Sequence, residues 1–113
     1  MRLEGEQTLM RIFIGESDRW EKKPLSDALL ELFRQRGIAG ATVLKGAAGY
    51  GGRSVLHTDK LLRFSSDLPV VVEVVDAQEK IDALLPELDA MIGSGMITLE
   101  KARVIRYFAG TRE

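Results

Sequence analysis

Val70-Val71-Val72-Glu73-Val74-Val75 holds five valines interrupted only by one glutamate. β-Branched residues are stiff at χ1 and suit a pleated surface. With apolar groups on both faces, the run reads as a central strand. Downstream of it the period changes. Ile81, Leu84, Leu85, Leu88 and Ile92 recur at helical spacing, which predicts a helix with one buried face. Asp76 and Glu79 stand three apart ahead of it, in the pattern of an N-cap and its capping partner. Pro86 falls inside this helix and is expected to bend it. Gly93-Ser94-Gly95 ends it, and residues 96–99 and 103–108 are apolar enough for strands, expected as two short pieces. Residues 109–113 are expected to fray.

Upstream of the valine run, residues 46–67 follow neither period and form a long connection. Residues 38–45 read as a strand. Before them Leu25, Ala28, Leu29, Leu32 and Phe33 mark a second helical face, opened by Pro24 and stopped by Gly37. The charged residues 16–23 read as a loop. Thr8–Gly15 reads as the first strand, with Met10, Ile12 and Ile14 on one side and Leu9, Arg11 and Phe13 on the other.

The order is β-α-β, a long connection, then β-α-β. It predicts an α+β, ferredoxin-like βαββαβ sandwich: a four-stranded antiparallel sheet with two helices on one face. The other face would carry Leu9, Phe13, Val71 and Val75, too apolar to leave wet, so a subunit contact is expected there. Arg11 and Glu73 share that open face on neighbouring central strands by parity. An ion pair between them, at or near the subunit contact, is expected.

A length of 113 residues fits one domain, 1–113. There is no cysteine, which excludes disulfides, thiolate metal sites and a cysteine nucleophile. Sixteen basic and 17 acidic residues leave a net charge of −1, without the basic excess of a nucleic-acid-binding domain. No apolar run approaches the ~20 residues of a membrane span. Met1-Arg2-Leu3-Glu4-Gly5-Glu6 lacks the apolar region of a signal peptide. The expectation is a cytoplasmic protein.

The most unusual stretch is Lys45-Gly46-Ala47-Ala48-Gly49-Tyr50-Gly51-Gly52-Arg53-Ser54, with four of the 11 glycines in seven positions. Glycine backbone lets an anion approach closely, and successive N–H groups can cradle it. A Walker A loop is excluded, because Gly52 and Arg53 occupy its lysine and hydroxyl positions. The alternative is a hairpin-like loop without a ligand. Lys45, Arg53, Lys60 and Arg63 against Asp59 make the stretch locally basic; it suits phosphates or an acidic partner, or is an ordinary solvated loop. His57 is the only histidine and reads as a loop residue. Ser54, His57 and Asp59 could be drawn as a triad, but nothing in their spacing fixes its geometry. With no nucleophile or base standing out, the chain reads as a non-enzyme. Arg103 and Arg106 differ in parity and are expected on opposite faces of the last strand.

These residues resemble the nitrogen-regulatory PII proteins. Gly93-Ser94-Gly95-Met96-Ile97 looks like the PII pattern G-D-G-K-I, and Glu100-Lys101-Ala102-Arg103-Val104-Ile105-Arg106 looks like E-D-A-I-R-I-R. A closer resemblance is to an uncharacterised PII-like family of small bacterial proteins. It lies at Pro24-Leu25, at Ala39-Gly40-Ala41-Thr42-Val43-Leu44-Lys45-Gly46, at Leu68-Pro69-Val70-Val71-Val72-Glu73 and at Val104-Ile105-Arg106-Tyr107, and spans roughly residues 8–108. The resemblance implies a signalling homotrimer with nucleotide sites in clefts between subunits. It also implies that residues 46–67 are a mobile T-loop that touches a partner. Some relatives lie beside or are fused to fluoride-channel genes, which implies a membrane channel or transporter as that partner. The ligand-binding residues implied are Lys45, Gly46, Gly49, Tyr50, Gly51, Arg53, Gly93, Ser94, Gly95, Arg103 and Arg106. Met96 and Val104 stand where PII has cations, so ADP or AMP is implied as effector rather than ATP, with no obligatory cofactor. The alternative is a structural trimeric module resembling the divalent-cation-tolerance proteins, which share the fold.

Overall fold

The computed structural model describes residues 2–51 and 67–109. Its elements are β1 (Arg2–Gly15), β2 (Arg19–Trp20), β3 (Lys23–Pro24), α1 (Leu25–Gln35), β4 (Ala41–Lys45), β5 (Pro69–Asp76), α2 (Gln78–Met91) and β6 (Met96–Phe108). The main sheet has the order β4-β5-β1-β6, with every neighbouring pair antiparallel. The valine run and the first strand are therefore the two central strands, and the expected α+β sandwich is the fold.

Parity decides the core. Met10, Ile12 and Ile14 of β1 and Val70, Val72 and Val74 of β5 form one buried cluster with Leu25, Leu29, Leu32 and Phe33 of α1 and Ile81, Leu84 and Leu88 of α2. Full burial of one such side chain contributes about 1.5–3 kcal/mol. Both helices thus cover the same sheet face. The opposite face holds Leu9, Phe13, Val71 and Val75, each only half-buried.

Several local expectations are corrected. Residues 96–108 are one strand of 13 residues, not two pieces. It pairs with a β1 that begins at Arg2 rather than Thr8, so the two run as a ribbon beyond the end of β5. Residues 19–24, expected as loop and helix start, form the small β2–β3 hairpin, whose tip residues Glu21 and Lys22 have φ of 47° and 70°. β4 starts at Ala41 rather than residue 38.

Asp76 is not the cap of α2. Ala77 holds that position in extended backbone, with no side-chain cap. Asp76 ends β5, is 1% exposed, and accepts from the backbone N–H groups of Ala39 at 2.8 Å and Ala77 at 2.7 Å. The Tyr107 hydroxyl donates to the Ala39 carbonyl at 2.6 Å. The bonds at Ala39 hold the α1–β4 loop between the end of β5 and the ribbon. α2 continues through Pro86 to Met91.

Arg103 and Arg106 do not take the opposite faces that their parity suggests. Gly5 pairs with Val104 and Leu3 with Tyr107, so Glu4 alone faces both Ile105 and Arg106. The extra residue is a β-bulge, and it resets the alternation beyond it. Arg103, opposite Glu6, and Arg106, beside Glu4, fall on the same side of the ribbon.

Candidate ligand cleft

The long connection leaves β4 after Lys45 and returns at Asp67, and its two ends are tied into a neck. Gly46 N–H donates to the Pro69 carbonyl at 2.7 Å, and Glu16 N–H donates to the Leu68 carbonyl at 2.8 Å. The Ser17 hydroxyl donates to Asp67 Oδ1 at 2.8 Å. A Cβ at Gly46 would lie 2.7 Å from Pro69 Cγ and 3.2 Å from its carbonyl oxygen, so only glycine lets the two ends approach this closely.

Beside the neck lies a cleft of about 360 Å³, closed on its other side by the α2–β6 turn. Phe13 and Met96 are register partners across β1 and β6 and both line it. Tyr50 and Gly51 come from the glycine-rich stretch, Asp67 and Pro69 from the returning end, Ser94 and Gly95 from the turn. A Cβ at Gly95 would lie 2.6 Å from the Phe13 carbonyl oxygen, so the turn sits directly on β1. Asp18 and Asp67 add two carboxylates. Asp18 accepts from Gly15 N–H at 2.9 Å, and Asp67 from Ser17. Among the described lining residues there is no lysine, arginine or histidine.

The residues implied by sequence divide into groups. Tyr50, Gly51, Ser94 and Gly95 are brought together at the cleft. Gly49 packs beneath it on Pro69. Gly46 N–H is already bonded to Pro69, so it offers no donor to a ligand. Lys45 is ion-paired with Glu16 and opposite Val70 in register, on the helix side of the sheet. Gly93 is exposed beside the turn. Arg103 and Arg106 are exposed on the far part of β6. Arg106 stands ten positions beyond Met96, roughly 34 Å of strand. Arg53 lies outside the described residues, as do Ser54, His57, Asp59, Lys60, Arg63 and most of the connection expected to be a mobile T-loop.

Phe13, Asp18, Asp67 and Pro69 line the cleft although the sequence does not mark them as site residues. Phe13 had a signal, an apolar group on the open face at the end of β1. The two aspartates sit in loops where no spacing distinguishes them. Hydrogen bonds to Glu73, Glu31 and Glu87 raise Arg11, Lys23 and Arg36 above their ordinary values; these cations lie on strand, hairpin and helix surfaces, outside the cleft lining. Among the described residues no group of three or more histidine, aspartate or glutamate side chains could hold a metal ion. No helix among them is long and apolar enough to cross a membrane.

Residues 7–104 match the model of the DUF190 family, described as "Uncharacterized ACR, COG1993". A UPF0166 protein of Aquifex aeolicus (strain VF5) is 43% identical over 100 residues, covering 88% of this chain and 94% of that one. The UPF0166 protein MJ1524 of Methanocaldococcus jannaschii is 35% identical over 99 residues, covering 87% and 91%. Among solved structures, the putative PII-like signaling protein TTHA0516 of Thermus thermophilus superposes with a TM-score of 0.62 at 16% identity, covering 89% of this chain and 91% of that one. CPII of Thiomonas intermedia K12, a nitrogen regulatory PII-like protein bound to ADP, AMP and bicarbonate, superposes with a TM-score of 0.59 at 15% identity, covering 92% and 91%. At these identities the likeness shows a shared PII-like fold.

Proposed function

The chain belongs to the DUF190 family, and from that premise and its PII-like fold we propose that it is a non-catalytic signalling protein. It assembles as a homotrimer, binds an adenine nucleotide in clefts between subunits, and presents residues 46–67 to a partner protein. The observation that carries this reading is the position of the cleft. It lies between the neck of the connection and the α2–β6 turn, so an occupant touches the base of the segment that meets the partner. Ordering or shifting such a segment is a common switching device. The nucleotides bound by CPII support the choice of ligand class.

In this reading a second copy completes the site. Arg103 and Arg106 stand on one side of the ribbon. Brought to a neighbour's cleft, Arg106 offers a bidentate, charge-assisted contact to phosphate, alongside the turn Gly93-Ser94-Gly95. ADP or AMP suits this site better than ATP, since Met96 and Val104 replace two cations of the PII pattern. A membrane channel or transporter is the partner class this reading adopts, with the trimer acting from the cytoplasm.

Calorimetry with AMP, ADP and ATP tests the reading. Hydrogen bonds to charged groups contribute about 1.5–3 kcal/mol, so Arg106→Ala should weaken ADP binding roughly ten- to a hundredfold. Light scattering should give three times the subunit mass for both proteins. If the wild type binds none of the three nucleotides at millimolar concentration, the structural-module reading replaces this one.

A further inference from the structure

The β1–β6 ribbon forms an arm. Thr8 is the last residue of β1 paired with β5, and beyond it Arg2, Glu4, Glu6, Arg103, Arg106 and Phe108 are exposed. Among the described residues, three of the arm's side-chain contacts are internal to it. Gln7 donates to the Glu4 carbonyl at 2.9 Å, Arg2 pairs with Glu4 at 2.8 Å, and Lys101 with Glu6 at 3.9 Å. Among the same residues one hydrogen bond leaves the arm: the Tyr107 hydroxyl donates to the Ala39 carbonyl at 2.6 Å. Tyr107 is half-buried between two exposed neighbours, Arg106 and Phe108. Its anchor is firm, because the Ala39 N–H donates to the buried Asp76 and the nearby Gly37 carbonyl accepts from Lys80.

The root of the arm is shaped to bend. Gly5 has φ of 80°, a conformation that glycine takes without strain. Next to it Glu4 faces both Ile105 and Arg106, and such a bulge bends its strand and interrupts the ladder. Tyr107 lies just past this bend, opposite Leu3. Arg106 has no ion pair or hydrogen bond of its own among the described residues, so the backbone of the arm sets where its guanidinium stands. Resting on the nucleotide reading above, we infer that Tyr107 is a positioning residue of the ligand site. Its hydroxyl latches the arm to the α1–β4 loop, and so holds Arg106 where a second copy's ligand meets it. A hydrogen bond of ordinary net strength shifts such an equilibrium by roughly two- to tenfold. The arm can therefore be released while the core stays folded.

Tyr107→Phe removes the hydroxyl and keeps the ring, which makes it the variant of choice. In hydrogen exchange on the free protein, amides of residues 3–6 and 104–108 should exchange roughly two- to tenfold faster than in the wild type. Those of Met10, Ile12, Val72 and Val74 in the core should not change. In calorimetry ADP should bind Tyr107→Phe more weakly by a factor in the same range, with the mass from light scattering unchanged. In an Arg106→Ala background, Tyr107→Phe should have little further effect on ADP, because the group it places is gone. A structural role alone would give the same factor in both backgrounds. The inference is overturned, with the nucleotide reading intact, if the wild type binds ADP and Tyr107→Phe binds it equally well. It is likewise overturned if exchange in the arm is unaltered, or if the two substitutions act additively on ADP. If the wild type binds no ADP at millimolar concentration, the nucleotide reading falls and this inference with it.

Discussion

Arg11 donates through Nε to Glu73 Oε2 at 2.7 Å, joining the two central strands on the sheet face away from the helices. A second guanidinium nitrogen reaches Glu100 on β6, so one cation bridges three strands. The hydrogen bond to Glu73 is the main cause that raises Arg11 above its ordinary pKa, with partial desolvation opposing it.

Replacing Arg11 with methionine leaves the Glu73 and Glu100 carboxylates without the cation they share. Arg11→Met should lower the thermal midpoint, and adding Glu73→Gln should recover part of the loss. The difference should shrink in high salt. A group whose folded pKa is raised stabilises the fold below its unfolded pKa, and that contribution is lost as pH rises through the folded value. For an arginine that window lies far into alkali, so the gap attributable to Arg11 should stay constant from neutral to about pH 10. A gap that closes between those limits would contradict the assignment.

Asp76 is buried and holds two backbone N–H groups from different segments. Each donor left unsatisfied costs about 1–3 kcal/mol, so with two of them Asp76→Ala should lose about 2–6 kcal/mol in urea unfolding. Asp76→Asn keeps one oxygen acceptor and should lose less. Equal losses would mean that the charge, not the pair of acceptors, holds the loop.

Gly95 and Gly93 flank Ser94 and should respond differently. A Cβ at Gly95 meets the Phe13 carbonyl, whereas at Gly93 it meets nothing within 4 Å. Gly95→Ala should cost about 1–3 kcal/mol, the usual range for overpacking, and displace the turn from β1. Gly93→Ala should be neutral or slightly stabilising. Thermal melts of the two variants make the comparison directly.

Glu21 and Lys22 sit at positive φ in a two-residue hairpin turn, where Asn-Gly is the favoured pair. Left-handed backbone in an ordinary residue costs roughly 1–2 kcal/mol. The double change Glu21→Asn, Lys22→Gly should raise the midpoint of chemical unfolding without altering the circular dichroism of the folded protein. An unchanged or lower midpoint would show that the tip is held by contacts of its own side chains.

Alternation was readable wherever one face of an element is buried. Met10, Ile12 and Ile14 against Arg11 fixed the orientation of β1, and the same parity in β5 placed Glu73 beside Arg11. It was unreadable along Arg2–Gln7 and Lys101–Phe108. That ribbon runs past β5 with mostly exposed residues, so neither period leaves a mark and the β6 bulge is silent. Asp76 carries the letters of a cap, but capping depends on where the chain turns, and here the turn falls one residue later. In the cleft, Tyr50, Gly51, Ser94 and Gly95 were readable from unusual composition and family pattern. Asp18 and Asp67 were not, because two loops far apart in sequence bring them to one cleft only when the chain folds.

β6 is an outer strand of the sheet, 13 residues long, with hydrogen-bonding groups along the side away from β1. Such a border invites indiscriminate association between chains, and Ile105 and Phe108 are well exposed on it. Glu100, Lys101, Arg103 and Arg106 interrupt the same border with charge, and the bulge opposite Glu4 breaks its straightness. Both devices act as gatekeepers against amyloid-like stacking. The arginines proposed to meet phosphate therefore also guard solubility, and a variant stripped of all four charges would be prone to precipitate before its ligand binding could be measured.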